Sequence, residues 1–360
     1  MTSRRAELET TMTTTMAGIL PLDAAAVAAA RARQGSLTKP PGSMGVLEDL
    51  GNRLCGMYAV CPPPVPEPVA IAVFAGDHGV HAQGVSPWPQ EVTVQMVANI
   101  VGGGAVINAL ARQVGASVTV IDVGVAADLE PRDGLVDRKV AAGTSDLGRG
   151  PAMTVDEALA AIGAGITTAR DLVDAGHRLL VTGDLGIGNT TPSAALVAVL
   201  TGCDAADVTG RGAGSDDAML AHKVEVIRAA IRRSGATADQ PLEALASVGG
   251  FEHAALAGFL LGAASRRTPV ILDGVIACSS ALVARALCPG VTAYLIAGHR
   301  SKERGSSVAM EALGLEPLVD LGLRLGEGSG ATLVVPVVQA AARLLREVAT
   351  FGAAGVSQSS

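Results

Sequence analysis

The sequence predicts an α/β protein: a doubly wound, mostly parallel sheet of Rossmann-like type, with a small helical domain formed by the terminal segments. Three observations predict it. Short β-branched runs alternate with alanine-rich helical stretches, each run is apolar along nearly its whole length, and polar and glycine residues gather just after the runs. Nearly continuous apolar strands with helices between them belong to parallel sheets covered on both faces. Ligands of such sheets bind at the carboxyl ends of the strands.

In chain order, residues 1–68 are expected to be helical. The run LEDLGNRLCGMY places Leu47, Leu50, Leu54 and Met57 at helical spacing. The proline-rich CPPPVPEPV, residues 61–69, reads as a linker into the α/β domain, residues 69–333. Strands are expected in VAIAVFAG ending at Gly76, SVTVIDVGV ending at Val125, HRLLVTGD ending at Asp184, TPVILDG ending at Gly274, and VTAYLIAGH ending at His299. Residues 334–360 open with VVPVVQAAARLLREVATF, an amphipathic helix expected to join the N-terminal helices.

A chain of 360 residues with 49% hydrophobic content can bury a large core. Its formal net charge is −7, and Lys and Arg are scattered without a basic stripe, so a nucleic-acid partner is not expected. The cysteines, at 55, 61, 203, 278 and 288, form no CxxC pair, which argues against a disulfide framework and a zinc site. The opening MTSRRAELETTMTTTMAG has no apolar signal core, and the apolar helix AALAGFLLGAA, residues 254–264, is too short to span a bilayer. A cytoplasmic protein with no membrane association is the expectation.

Two glycine-rich loops and one isolated acid carry the chemistry. In VTGDLGIGNTTPSAALVAVL a strand runs into Gly186 and Gly188, Asn189, Thr190 and Thr191 offer cap oxygens, and an apolar helix follows. Free N–H groups at such a helix start would cradle a phosphate; an ordinary turn is the alternative. In GRGAGSDDAMLAHK, Lys223 stands ready as a phosphate counter-charge. In LRLGEGSGAT a lone carboxylate, Glu327, sits between Gly326, Gly328 and Gly330, in a ligand-facing turn or a plain surface turn. The chain lacks GxxxxGK[ST], a GxGxxG after the first strand, and the acidic pair of enzymes that use phosphoribosyl pyrophosphate. His78 and His81 have no matching partners for a metal, so core or hydrogen-bonding roles are expected, and no metal or cofactor.

Seven ordered motifs resemble the nicotinate-nucleotide:dimethylbenzimidazole phosphoribosyltransferase family. They are TKPPGSMGVLEDL from position 38, FAGDHGVHAQGVSPWPQEVTVQMVANIVGGGAVIN from 74, DLGIGNTTPSAA from 184, GGFEHAALAGFLLGAA from 249, PVILDG from 269, GHRSKERG from 298 and EPLVDLGLRLGEGSGA from 316. The resemblance implies transfer of ribose 5-phosphate from nicotinate mononucleotide to 5,6-dimethylbenzimidazole. The products would be nicotinate and α-ribazole 5′-phosphate, for the nucleotide loop of cobalamin, made by a homodimer. It implies Glu327 as general base and Asp184 as a secondary carboxylate. Phosphate and ribose would be held by Gly186, Gly188, Asn189, Lys223, Asp273 and Ser301, and the aromatic base by Ser86, Trp88, Met96, Leu185 and Leu325, with His299 shaping its loop.

One carboxylate suffices for this reaction. The donor's pyridinium leaves as a neutral ring and needs no acid, whereas the acceptor ring must lose the proton on its second nitrogen as the first attacks C1′. Desolvation by Leu323 and Leu325 would raise the pKa of Glu327 and make it a better base. The sequence departs from the family pattern at Asp184, where glutamate is common, and at Ser306, where histidine is common. The alternatives are the same transfer to another azole or adenine, and a non-catalytic nucleotide-binding regulator, which would have no need of Glu327.

Overall fold

The computed structural model describes residues 2–357. Six strands form one sheet: β1 (Val69–Gly76), β2 (Ser117–Gly124), β3 (Leu135–Asp137), β4 (Leu179–Leu185), β5 (Val270–Leu272) and β6 (Leu295–Ala297). Their order is β3-β2-β1-β4-β5-β6, and every pairing is parallel. This is the doubly wound Rossmann order, with the chain reversing direction across the sheet between β1 and β4. Every residue of β1 and β4 is buried, which accounts for their unbroken apolar character.

The C-terminal strands are shorter than the sequence suggests. The run after Thr268 pairs only through Leu272, leaving Asp273 and Gly274 beyond the sheet. In VTAYLIAGH the first part is a 3-10 turn, Pro289–Tyr294, whose buried Tyr294 donates through its hydroxyl to Leu20 O at 2.8 Å. Edge strand β3 went unread because it is three residues long, with Leu135 and Val136 only half-buried and Asp137 exposed.

Helix Val155–Asp174 begins with a capping box in which Thr154 Oγ1 accepts from Glu157 N–H and the Glu157 carboxylate accepts from Thr154 N–H. It crosses helix Phe251–Ser265, which after Glu252 and His253 is apolar around its circumference and is buried from Phe251 to Ala264. The crossing is close because Gly165 and Gly258 lack side chains: a Cβ at either would lie 1.8 Å from Ala255 O or 2.0 Å from Ile162 O.

Three helices of the terminal segments pack together and a fourth lies apart from them. Helices Ala24–Ser36, Val46–Tyr58 and Val335–Glu347 pack on one another, and Leu37 bridges to Thr350. The proline run is strapped to the last of these by Arg346 donating to Pro63 O and Gln339 donating to Pro66 O. Helix Thr2–Ala17 instead lies on Val155–Asp174 and Phe251–Ser265.

The apolar stretch from 92 to 114 is long and apolar enough to cross a bilayer, a length the run at 254–264 does not reach. It folds as two helices, Val92–Val101 and Val106–Val114, broken at Gly102, Gly103 and Gly104, with Gly103 at φ +80°. The first lines the cleft described next through Val92 and Met96, and the second reaches Glu327 through the N–H of Ile107.

Candidate active site

The carboxyl ends of β1 and β4, where the strand order reverses, open into a cleft of about 450 Å³, within the range of small-ligand sites. Its floor is the loop after β4. Gly186 passes so close to β1 that a Cβ there would lie 2.2 Å from Gly76 O, and Gly188 adopts φ +92°. Asn189 N–H donates to Gly186 O, and Ile187 N–H donates to Thr93 Oγ1. Helix Thr190–Thr201 starts here without a side-chain cap: the Asn189 amide donates to Asp184 Oδ2 at 3.0 Å instead. Among the described residues the N–H groups of Gly188 and Thr190 have no partner within the chain. Free N–H groups at a helix start, with the helix dipole behind them, favour an anion.

The second glycine loop folds over the first. Lys223 is 1% exposed, and its Nζ donates to Thr190 Oγ1 at 2.6 Å and to Gly210 O at 3.4 Å, fastening the two loops together. Burial lowers its pKa to about 8, against the opposing charge of Glu303. Glu303 accepts from Gly212 N–H at 2.9 Å. Arg211 and Arg324 also line the cleft, Arg324 donating to Gly212 O, and Ser301 lies beside Glu303.

Glu327 lines the same cleft. Three consecutive residues are left-handed, Gly326 at φ +89°, Glu327 at +63° and Gly328 at +88°. A non-glycine residue in that region is uncommon and often marks a functional constraint. The turn carries the Glu327 side chain inward, leaving it 5% exposed, with Oε2 accepting from Ile107 N–H at the start of helix Val106–Val114. Burial raises the Glu327 pKa, the Ile107 N–H opposes that rise, and the charge of Asp273 adds to it. The expected desolvation by Leu323 and Leu325 is not the source, since Leu323 is half-buried and Leu325 is 54% exposed at the cleft wall.

The glycine frame has a packing reason as well. A Cβ at Gly328 would lie 2.9 Å from Thr182 O and one at Gly330 would lie 2.1 Å from the His299 ring. Of the three, Gly326 faces the cleft, its Cβ position 3.2 Å from Asp184 Oδ2. Burial, with the charges of Asp273 and Glu252, pushes the Asp184 carboxyl well above the usual carboxylate range. Among the described residues its Oδ1 has no hydrogen-bond partner.

Val85, Trp88, Met96, Leu185 and Leu325 form an apolar wall, with Ser86 beside Trp88. The Trp88 indole reaches across and donates to Ala213 O at 3.0 Å, and its backbone is held by Ser86 Oγ and His81. His78 lies beneath, fully buried, 2.9 Å from Glu252, which is also 2.8 Å from His253. Burial alone would lower the His78 pKa, but the Glu252 carboxylate reverses the sign.

A phosphoribosyltransferase family model matches residues 19–356. The nicotinate-nucleotide–dimethylbenzimidazole phosphoribosyltransferase of Salinispora tropica is 59% identical over 358 residues, covering 96% of this chain and 98% of the relative. The chain belongs to this phosphoribosyltransferase family. A Roseiflexus enzyme of the same name is 53% identical over 95% of this chain and 97% of its own. A crystal structure of the family from Thermus thermophilus superposes with a TM-score of 0.89 at 44% identity, covering 94% of this chain and 100% of the other. A second from the same organism, CobT, reaches 0.90 at 45%, covering 93% and 100%.

Against the residues the family resemblance implies, the cleft brings together Glu327, Asp184, Gly186, Gly188, Asn189, Lys223, Ser301, Ser86, Trp88, Met96, Leu185 and Leu325. Asp273 is not among the cleft-lining residues; its carboxylate accepts from Gly328 N–H at 3.2 Å and Ala331 N–H at 2.9 Å. Arg211, Glu303 and Arg324 escaped sequence reasoning although each sits within a quoted motif or glycine loop. Ile107 carried no signal, because its contribution is a backbone N–H.

Proposed function

We propose that this family member transfers ribose 5-phosphate from nicotinate mononucleotide to 5,6-dimethylbenzimidazole, releasing nicotinate and α-ribazole 5′-phosphate for the cobalamin nucleotide loop. The observation that carries this is one cleft that holds free N–H groups at a helix start together with the carboxylate of Glu327, turned inward by a left-handed backbone and raised in pKa by burial. The donor phosphate sits on the N–H groups of Gly188 and Thr190 beside Lys223. The C1′–N bond to the pyridinium breaks with its electron pair going to that nitrogen, so nicotinate leaves with an uncharged ring nitrogen. One acceptor nitrogen bonds to C1′, and the proton on the other passes to Glu327 and then to solvent. The apolar wall holds the flat acceptor, with Asp184, its pKa raised by burial, at the same end of the cleft. Ser301 and Glu303 face the ribose. No metal or cofactor enters these steps.

Two protomers complete this reading. The terminal helices bury Ala26, Ala30 and Leu345 within their own chain, while Leu20, Val46 and Val60 stay exposed on or beside them. Trp88, Val106, Leu321 and Leu325 are each about half exposed on segments bordering the cleft, and a second copy would cover them and help to close the site. A reducing cytoplasm suits the five free thiols.

The test is product analysis with nicotinate mononucleotide and a panel of dimethylbenzimidazole, benzimidazole and adenine. Equimolar nicotinate and α-linked ribotide are expected, fastest with dimethylbenzimidazole; an apolar wall separates acceptors by only about 1–3 kcal/mol per methyl, so benzimidazole should also react. Donor binding without nicotinate release from any base would leave a nucleotide-binding protein and defeat the reading.

A further inference from the structure

Glu327 holds a left-handed backbone conformation, φ +63°, that L-residues adopt only at a cost, so neighbouring structure must impose it. One side chain is placed to do so. Asp273 follows β5, and its own N–H donates to Thr182 Oγ1 at 3.0 Å, tying it to β4. Its carboxylate reaches across the turn, Oδ2 accepting from Gly328 N–H, the next residue after Glu327, and Oδ1 accepting from Ala331 N–H. His299 Nε2 lies 3.3 Å from Oδ1. The residue is 1% exposed, and both oxygens are already engaged.

We propose that Asp273 is the positioning residue of the general base: it grips the backbone on the C-terminal side of Glu327 and holds the left-handed turn that aims the Glu327 carboxylate into the cleft, instead of binding the ribose. Two N–H groups converging on one carboxylate form a charge-assisted clamp. Gly328 and Gly330 allow it, since a side chain at either would collide with Thr182 O or the His299 ring and lift the turn away from Asp273.

A ribose ligand and a clamp on the base lose different things on mutation. Asp273→Asn keeps the size but can accept at only one oxygen, setting an amide N–H against a backbone N–H. A clamp predicts kcat lower by roughly 10- to 100-fold with the KM for nicotinate mononucleotide changed less than about twofold, because only the acceptor's deprotonation depends on Glu327. The acid limb of kcat/KM should also move to lower pH, since one negative neighbour of Glu327 is removed. The other groups facing Glu327, the Asp184 carboxyl and the Ile107 N–H, stay in place, and Arg324 on the same loop is turned to Gly212 O.

The proposal rests on the transferase reading, and an inactive wild-type chain would defeat that reading alone. Against an active wild type, steady-state kinetics of Asp273→Asn and of the smaller Asp273→Ser are to be measured across pH, with the unfolding transition as the check on folding. Loss confined to kcat with the shifted acid limb is the expected result. A raised donor KM with retained kcat restores the ribose role and overturns the proposal, as does an unchanged profile. Failure of both variants to fold overturns it too, because the role would then be global and not local to the turn.

Discussion

The carboxylate of Glu327 and the backbone N–H of Ile107 meet at 3.4 Å, although 220 positions separate them in the chain. A buried acid thus rests at a helix N-terminus, whose dipole favours its charged form while burial disfavours it. The outcome is a carboxylate more basic than a solvated glutamate.

Removing that base should stop chemistry and spare binding. Glu327→Gln is expected to lower kcat by roughly 10²–10⁴-fold with both substrates still bound. In the wild type, kcat/KM should fall on the acid side with a midpoint above the ordinary glutamate value, because burial raises the pKa. Asp184→Asn should cost less than Glu327→Gln. A folded Glu327→Gln protein with near-normal kcat would return Glu327 to an ordinary turn.

Lys223 should set the alkaline limit for the donor. Burial lowers its pKa to about 8 in the free protein, so the ammonium that attracts phosphate is present below that pH and lost above it. The KM for nicotinate mononucleotide is expected to rise above pH 8, and Lys223→Met should raise it at every pH and flatten that rise. A donor KM independent of pH between 7 and about 9.5 in the wild type would remove Lys223 from the phosphate site.

Assembly is open to a direct measurement. Sedimentation at micromolar concentration is expected to give a dimer, and Leu321→Asp, which places a charge at an exposed apolar position on the rim, should shift it toward monomer and lower activity with it. A fully active wild-type monomer would exclude a shared site.

The helix crossing beneath the sheet allows no side chain at Gly165. Gly165→Ala would put a Cβ 1.8 Å from Ala255 O and is expected to destabilise the protein by at least about 1–3 kcal/mol. Gly35→Ala, in open space within helix Ala24–Ser36, should instead be neutral or stabilising by up to about 1 kcal/mol. Equilibrium denaturation of the two variants separates these outcomes, and equal midpoints would mean that the crossing relaxes.

Much of this was legible in the chain. The five longer apolar runs marked five of the six strands, because burial on both faces leaves a continuous local signal in Val69–Gly76 and Leu179–Leu185. The glycine loops announced themselves for a similar reason: Gly186 and Gly188 answer local demands, a close pass over Gly76 O and a positive φ. The isolation of Glu327 among glycines was visible too, though not its cause.

By itself the sequence determined the class of fold, the strands that bring their carboxyl ends to one cleft, and the residue types able to do the chemistry, since each is written as a local pattern of apolar spacing, glycine or charge. Only the tertiary structure decided that Asp273 faces the Gly328 and Ala331 amides and not the cleft, that Asn189 turns to Asp184 instead of capping its helix, and that helix Val106–Val114 points its N-terminus at Glu327. The physical reason is that hydrogen-bond partners and desolvation come from residues distant in sequence, and a backbone N–H such as that of Ile107 carries no side-chain signature to be read.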